Sequence, residues 1–133
     1  MSIRSYFIIA AIAALSFGIG FVLVPQFIAA IFGVVLDDNG VLMTRFFGVL
    51  LVTTGIWFSL LRETDNTAVI RAMLTGYLVG DIFGGLNALY GVLSGTMNVL
   101  GWLIVLLYFG LAVGAVYFLT VRPSVRVVRT GAR

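Results

Sequence analysis

Two charged residues inside apolar runs of the chain are the ones best placed to do chemistry. Asp81 lies near the middle of a long apolar run, and Arg45 lies in the run before it. In a membrane helix, an ionised carboxylate at that depth costs at least about 2–3 kcal/mol without a partner. We therefore expect Asp81 to face the interior of a helix bundle. Arg45 is its favoured partner, although the helical rise leaves a depth difference of roughly 10 Å between them.

Two interpretations of this pair stay open. In the first, Asp81 and Arg45 form a buried ion pair that fixes which helices are neighbours. In the second, they line a polar cavity for a headgroup, an ion or a small molecule, since ionisable groups inside a membrane often mark functional sites. Tyr77 lies one turn before Asp81 and is a candidate hydrogen-bond donor to it. Asn87 lies on the same side of the run and is a candidate bridge.

The residue types that are missing exclude several kinds of chemistry. The chain has no Cys and no His, and all eight of its basic residues are Arg. This excludes disulfides, thiolate or Schiff-base chemistry and His-based catalysis. No nucleotide-binding or nucleophile motif is present. We expect no catalytic residue, no metal site, no cofactor and no nucleic-acid partner.

The elements that position these residues follow from composition. The chain is 62% hydrophobic and 10% charged, well beyond the balance of a soluble domain. A bilayer core needs roughly 20 apolar residues in a helix. The sequence predicts an all-α membrane protein, a four-transmembrane-helix bundle, with the lipid bilayer as its surroundings. The four predicted spans are residues 6–24, 41–61, 68–91 and 99–119.

Pro25 ends the first span, because proline lacks the backbone donor and clashes with the preceding turn. Residues 26–36 are apolar but too short to cross a bilayer. We predict a short interfacial helix here, with a bent extension of the first span as the alternative. Residues 37–40 and 94–98 have the composition of turns.

Orientation follows from where Arg falls. Seven of the eight Arg residues lie on the side of the termini, and the loops on the other side have none. Such a bias places both termini in the cytoplasm. We therefore divide the chain into a transmembrane domain, residues 1–121, and a basic cytoplasmic tail, residues 122–133. Tyr6 is predicted to lie near the inner interface.

Small residues repeat along every span. Helices in lipid associate where small side chains allow close approach of their backbones. We predict that these glycines line helix contacts in a tight bundle, with a homodimer contact as the alternative for one face. The glycines concerned are Gly48 in the second span, Gly76, Gly80 and Gly84 in the third, and Gly110 and Gly114 in the fourth.

Several motifs are distributed over about 110 residues of the chain: Pro25, residues 37–40 followed by residues 44–48, the pair Gly80 and Asp81, and residues 94–102. In the order and spacing of these motifs the chain resembles a family of small four-helix bacterial inner-membrane proteins, and it is more distantly similar to the DoxX-like superfamily. The resemblance implies this fold in the bacterial cytoplasmic membrane, and a family without an assigned reaction. Some DoxX-like proteins are quinone-linked oxidoreductase subunits. That activity is not carried over, because this chain has no Cys or other redox ligand.

Three functional hypotheses follow. The first is a non-enzymatic accessory subunit, or a bundle that binds lipid or another hydrophobic ligand, alone, as a homodimer or within a larger membrane complex. The second is a small dimeric transporter or channel that uses Asp81 as a coupling site. The third and least favoured is a membrane enzyme, in which only Asp81, Tyr77 and the Arg residues are available for acid–base work.

Overall fold

A computed structural model describes residues 2–120 of the chain. This part is all-helical, with no β-strand among the described residues, and it contains five helices. They are α1 (Ile3–Leu23), α2 (Pro25–Ile31), α3 (Asp38–Leu61), α4 (Thr67–Leu93) and α5 (Gly101–Thr120). All but α2 are long and apolar enough to span a membrane, as the sequence predicts for a multi-pass membrane protein. The predicted basic tail, residues 122–133, lies outside the described residues.

The break between α1 and α2 has a local cause. Val24 leaves helical geometry, with φ −135° and ψ 56°, and Pro25 then begins α2. The chain turns sharply enough that a Cβ on Gly20 would lie 3.0 Å from the Ile28 side chain. The helix α2 therefore folds back beside the end of α1. The predicted short helix after the first span is therefore confirmed, and its position at the membrane interface stays a prediction.

A glycine in the left-handed region ends α2. Gly33 has φ +80°, and its N–H donates to the Ala30 carbonyl while the Val34 N–H donates to the Ala29 carbonyl. These two bonds form a Schellman motif, which satisfies carbonyls that the last helical turn leaves free. The chain then leaves the helix toward α3.

The segment predicted as a turn at residues 37–40 is instead the beginning of α3. The Asp37 carboxylate accepts a hydrogen bond from the Gly40 N–H at 2.7 Å, and Asp38 lies in the first helical turn. Acidic side chains stabilise this end of a helix because its first N–H groups lack partners. Asn66 caps α4 in the same way, accepting from the N–H groups of Ala68 and Val69.

The long helices associate as two close pairs. In the first pair, α1 packs against α3: a Cβ on Gly48 would lie 2.9 Å from the Gly18 carbonyl oxygen, and one on Gly55 would lie 2.6 Å from Leu15. In the second pair, α4 packs against α5, and Gly84 lies under a ring of α5. Because glycine has no side chain, the two helices of each pair can approach each other closely at these positions.

Larger side chains join the two pairs at the end that holds the first residues of α1. Tyr6, Phe7 and Phe58 are almost fully buried there, and the Tyr6 hydroxyl donates to the Leu111 carbonyl of α5 at 3.0 Å. The ring centroids of Phe7 and Phe58 lie 5.4 Å apart. Tyr6 is 1% exposed, so its side chain lies inside the bundle, where its hydroxyl has a partner. Its place near the inner membrane interface stays a prediction.

Asn98 joins the two pairs at the opposite end. Its side-chain amide donates to the Ile31 carbonyl at 2.9 Å, and its backbone N–H donates to the Phe32 carbonyl at 2.8 Å. The loop between α4 and α5 is therefore tied to the end of α2. The two helix pairs are thus held together at both ends, by this connection and by the aromatic core around Tyr6, and they separate in the middle.

Candidate functional site

A cavity of about 150 Å³ lies where the two helix pairs separate. Both pairs line it, and most of its lining is apolar. Its one charged lining residue among the described residues is Asp81. The lining residues are Ala13, Ala14, Phe17 and Phe21 of α1, Phe32 just after α2, Phe47 and Leu51 of α3, Tyr77 and Asp81 of α4, Met97 of the loop that follows α4, and Ile104, Leu107, Tyr108 and Leu111 of α5.

The Asp81 carboxylate lies inside the bundle, as its type and position predict. The residue is 3% exposed, and its Oδ2 atom is buried without a hydrogen-bond partner among residues 2–120. An unsatisfied buried acceptor costs about 1–3 kcal/mol, and more if it is charged. The folded chain tolerates this cost at the cavity wall, where an added group has room to reach the carboxylate.

Two tyrosines flank Asp81 along the cavity wall. Tyr77 is half-buried, and its ring packs edge-on against Phe58, with centroids 4.3 Å apart at 88°. Among the described residues no hydrogen bond joins Tyr77 to Asp81. Tyr108 reaches over Gly84 from α5, so that a Cβ on Gly84 would lie 2.6 Å from its Cε1 atom. The absence of a side chain at Gly84 is what allows this ring to lie beside the cavity.

Arg45 does not contact Asp81, which corrects the predicted ion pair. Arg45 is exposed on the outside of the bundle. The ion pairs within residues 2–120 join Glu63 to Arg4 and to Arg62, both on the surface. The physical reason is the position of Arg45 along the bundle and the outward direction of its side chain. Arg45 is the eighth residue of α3, about two turns from the beginning of the helix and roughly 8 Å nearer that end of the bundle than Asp81 by the helical rise, and its long side chain can reach headgroups instead.

The remaining predicted polar residue, Asn87, is exposed on the outer face of α4 and does not line the cavity. A Cβ added to Gly76 or Gly80 of the same helix would meet no atom of the described chain within 4 Å, and the same holds for Gly110 on α5. These four residues do not join helices within the described part of the chain. Helical periodicity places residues on a common side of a helix, but it does not reveal whether that side meets another helix of the same chain.

The other predicted packing glycines lie at contacts between helices. Gly48 meets the backbone of α1, and Gly84 meets Tyr108. A Cβ on Gly114 would lie 2.6 Å from the Tyr6 ring, so this glycine gives Tyr6 the space to reach its partner on α5.

A second cavity, of about 370 Å³, adjoins the first toward the Asn98 end of the bundle. Four residues line both cavities: Phe21, Phe32, Phe47 and Met97. The second cavity is more open, and its other lining residues belong to α2, the segment after it and the first turns of α3. We call the cavity beside Asp81 the inner cavity and this one the outer cavity.

Sequence reasoning missed the aromatic lining of these cavities. Phe17 lies within 6.0 Å of Phe21 and 6.2 Å of Phe32 by ring centroids, and Phe21 lies 5.9 Å from Phe47. These four rings form one aromatic cluster. Phenylalanine suits a lipid-facing surface as well as an interior, so its type gives no signal. The spacing of Phe17 and Phe21 by four residues was the one available hint.

Comparison of the chain with known protein families, with curated proteins and with solved structures finds no match.

Proposed function

We propose that this protein is a non-enzymatic membrane bundle that holds a small hydrophobic ligand in the inner cavity, with the Asp81 carboxylate as the polar contact. The observation that carries the proposal is the Asp81 Oδ2 atom, which is buried at the wall of an apolar cavity without a partner in the described part of the chain. Ligand sites are characteristically apolar, with few polar groups that fix orientation.

The purely structural alternative for Asp81 loses its main support. A structural carboxylate in a membrane interior is expected to pair with a cation or with donors that compensate its desolvation. Arg45, the expected partner, lies on the outer surface. The two helix pairs are joined by the aromatic core around Tyr6 and by Asn98, so Asp81 is not needed to hold them together.

The size of the inner cavity limits what it can hold. A cavity of about 150 Å³ in a protein interior accommodates a molecule about the size of benzene. The inner cavity thus fits a ring or a small head portion. A larger ligand has to extend into the outer cavity, past the four residues that line both.

The experiment is mass spectrometry of small molecules that remain bound to protein purified from its own membranes in mild detergent. Ala13 lines the inner cavity, and Ala72 is exposed on α4. We expect a bound molecule in the wild type and in Ala72→Phe, and its loss in Ala13→Phe, because the added ring fills the cavity. The proposal is wrong if the same molecule remains bound to Ala13→Phe, or if no preparation holds one.

We also propose that the protein resides in the bacterial cytoplasmic membrane with both termini in the cytoplasm. The Arg4 and Arg62 side chains lie at the same end of the bundle, where both contact Glu63. The positive-inside bias assigns that end to the cytoplasm. The chain has no Cys, so single cysteines at Ser2 and Asn39 report orientation directly. An impermeant thiol reagent applied to intact cells should label Asn39→Cys alone. Labelling of Ser2→Cys alone would show that the protein has the opposite orientation.

A dimeric transporter that uses Asp81 as its coupling site is a second candidate. The observation that favours it is one-sided access: the outer cavity approaches Asp81 from one end, while the aromatic core around Tyr6 closes the other. Such an arrangement matches one state of an alternating-access cycle. Reconstituted liposomes should then take up substrate or protons at a rate that Asp81→Asn abolishes, and an unchanged flux excludes this role for Asp81.

A further inference from the structure

We propose that the inner and outer cavities form one site for an amphipathic organic amine, with its ammonium group at Asp81 and its apolar body in the outer cavity. This inference rests on the proposed function and names the chemical class of its ligand. Three observations carry it: the missing counter-charge at Asp81, the aromatic lining, and the lining shared by the two cavities.

The first observation is the missing counter-charge. Asp81 is the one charged residue that lines either cavity among residues 2–120, and no Arg in that part of the chain reaches it. A buried carboxylate is stabilised most by an opposite charge that also donates hydrogen bonds. An ammonium group supplies both. An anionic ligand would add repulsion, and a wholly apolar ligand would leave the Oδ2 atom unsatisfied.

The second observation is the aromatic lining. The four rings of the aromatic cluster and the two tyrosines beside Asp81 line the inner cavity. Aromatic faces attract cations, most strongly where water is excluded. A carboxylate beside several aromatic rings therefore favours an organic ammonium over a neutral ligand of the same shape.

The third observation is the continuity of lining. Phe21, Phe32, Phe47 and Met97 line both cavities, so a ligand that leaves the inner cavity past them enters the outer one. The outer cavity is apolar apart from Thr44. Its volume of about 370 Å³ lies within the range of small-molecule sites, whereas the inner cavity alone does not reach it. A ligand with a small cationic head and a longer apolar body fits a small inner cavity beside Asp81 that continues into a larger apolar one.

Three probes separate these features: benzylamine, 4-hexylbenzylamine and its neutral isostere 4-hexylbenzyl alcohol. Calorimetric titration into the wild-type protein in zwitterionic nanodiscs, corrected for empty nanodiscs, measures each affinity. We expect 4-hexylbenzylamine to bind most tightly. We expect Asp81→Asn to weaken it by about 10- to 100-fold, the range for a hydrogen bond to a charged group, and to weaken the alcohol much less, because an asparagine carbonyl oxygen still accepts from a hydroxyl while the ammonium loses its counter-charge. Asp65→Asn, in an exposed loop, should change neither.

A second variant tests the outer cavity. Thr44→Trp should weaken 4-hexylbenzylamine at least about tenfold and leave benzylamine unchanged, since benzylamine has no alkyl chain to displace. Equal affinity of wild type and Asp81→Asn for 4-hexylbenzylamine overturns the assignment of an amine. If the alcohol then binds and Ala13→Phe abolishes that binding, the cavity still holds a ligand and only its class is wrong. If neither 4-hexylbenzylamine nor the alcohol binds to wild type, the inference fails, and the proposed function fails with it only if the purified protein also holds no bound molecule.

Discussion

Replacing Asp81 with leucine should stabilise the protein while removing its ligand contact. The Oδ2 atom is buried without a partner among residues 2–120, so the wild-type fold carries the cost of an unsatisfied carboxylate. Leucine has the same number and branching of side-chain heavy atoms and no polar atom, and the adjoining cavity has room for its bulkier methyl groups. Removal of an unsatisfied buried acceptor recovers about 1–3 kcal/mol, and insertion scales separate Asp from Leu at a helix centre by about 3 kcal/mol. We expect Asp81→Leu to raise the free energy of unfolding by about 2–3 kcal/mol.

The assay is SDS-induced unfolding from mixed micelles, followed by far-UV circular dichroism after bound lipids have been removed. Removal of lipids matters because a ligand bound to the folded wild type would stabilise it and mask the difference. Asp65→Leu is the matched control, since Asp65 is exposed in the loop before α4 and its substitution should change stability by less than about 0.5 kcal/mol. A loss of about 1 kcal/mol or more in Asp81→Leu would refute the reasoning, because it would show that the carboxylate has a stabilising partner within the protein.

Three further predictions concern the frame that holds the cavity. Gly48→Ala should destabilise the bundle by about 1–3 kcal/mol in the same unfolding assay, because the added Cβ would lie 2.9 Å from the α1 backbone. Gly80→Ala is the control: a Cβ there has no described neighbour within 4 Å, so the substitution should be neutral or stabilising by up to about 1 kcal/mol. Tyr6→Phe removes a buried hydrogen bond and should cost about 0.6–1.7 kcal/mol, while Tyr117→Phe, on the exposed surface, should cost nothing measurable. Asn98→Ala removes the side-chain bond to the end of α2 and should speed amide hydrogen exchange in α2, measured by mass spectrometry, without changing exchange in the middle of α4.

Each of these predictions has a contrary outcome. Equal effects of the two glycine substitutions would mean that α1 and α3 do not approach as closely as described, or that the Gly80 face is covered by another helix. An unchanged free energy of unfolding in Tyr6→Phe would contradict the assigned hydrogen bond from the Tyr6 hydroxyl to the Leu111 carbonyl. Unchanged exchange in α2 of Asn98→Ala would show that the backbone bond from Asn98 to Phe32 suffices to hold that end.

The sequence predicts the helices well and their partners less well. Apolar runs of about 20 residues have few alternatives to membrane-spanning helices, so all four spans are recognisable, and Pro25 marks the break before α2. Residues 37–40 show the limit of turn composition. Asp and Asn favour both turns and helix N-termini, so their presence locates a boundary without saying which side of it they occupy.

Asp81 and Arg45 differ in what their type reveals. A short carboxylate near the centre of a membrane helix has no route to water, so its place inside the bundle follows from its position. An Arg near a helix end can pair inward or extend to the headgroups, and the sequence does not distinguish these outcomes. The aromatic lining was beyond prediction for a related reason, because lipid and the protein interior are equally apolar.

The most direct test of the central claim is diffraction from crystals of the wild-type protein, purified without removal of lipids and grown in a lipid mesophase. We predict electron density for a non-protein group in the inner cavity, with a polar atom about 2.7–3.2 Å from an Asp81 carboxylate oxygen. An Arg45 guanidinium at that position, or helix pairs that close together and leave no cavity, would contradict it.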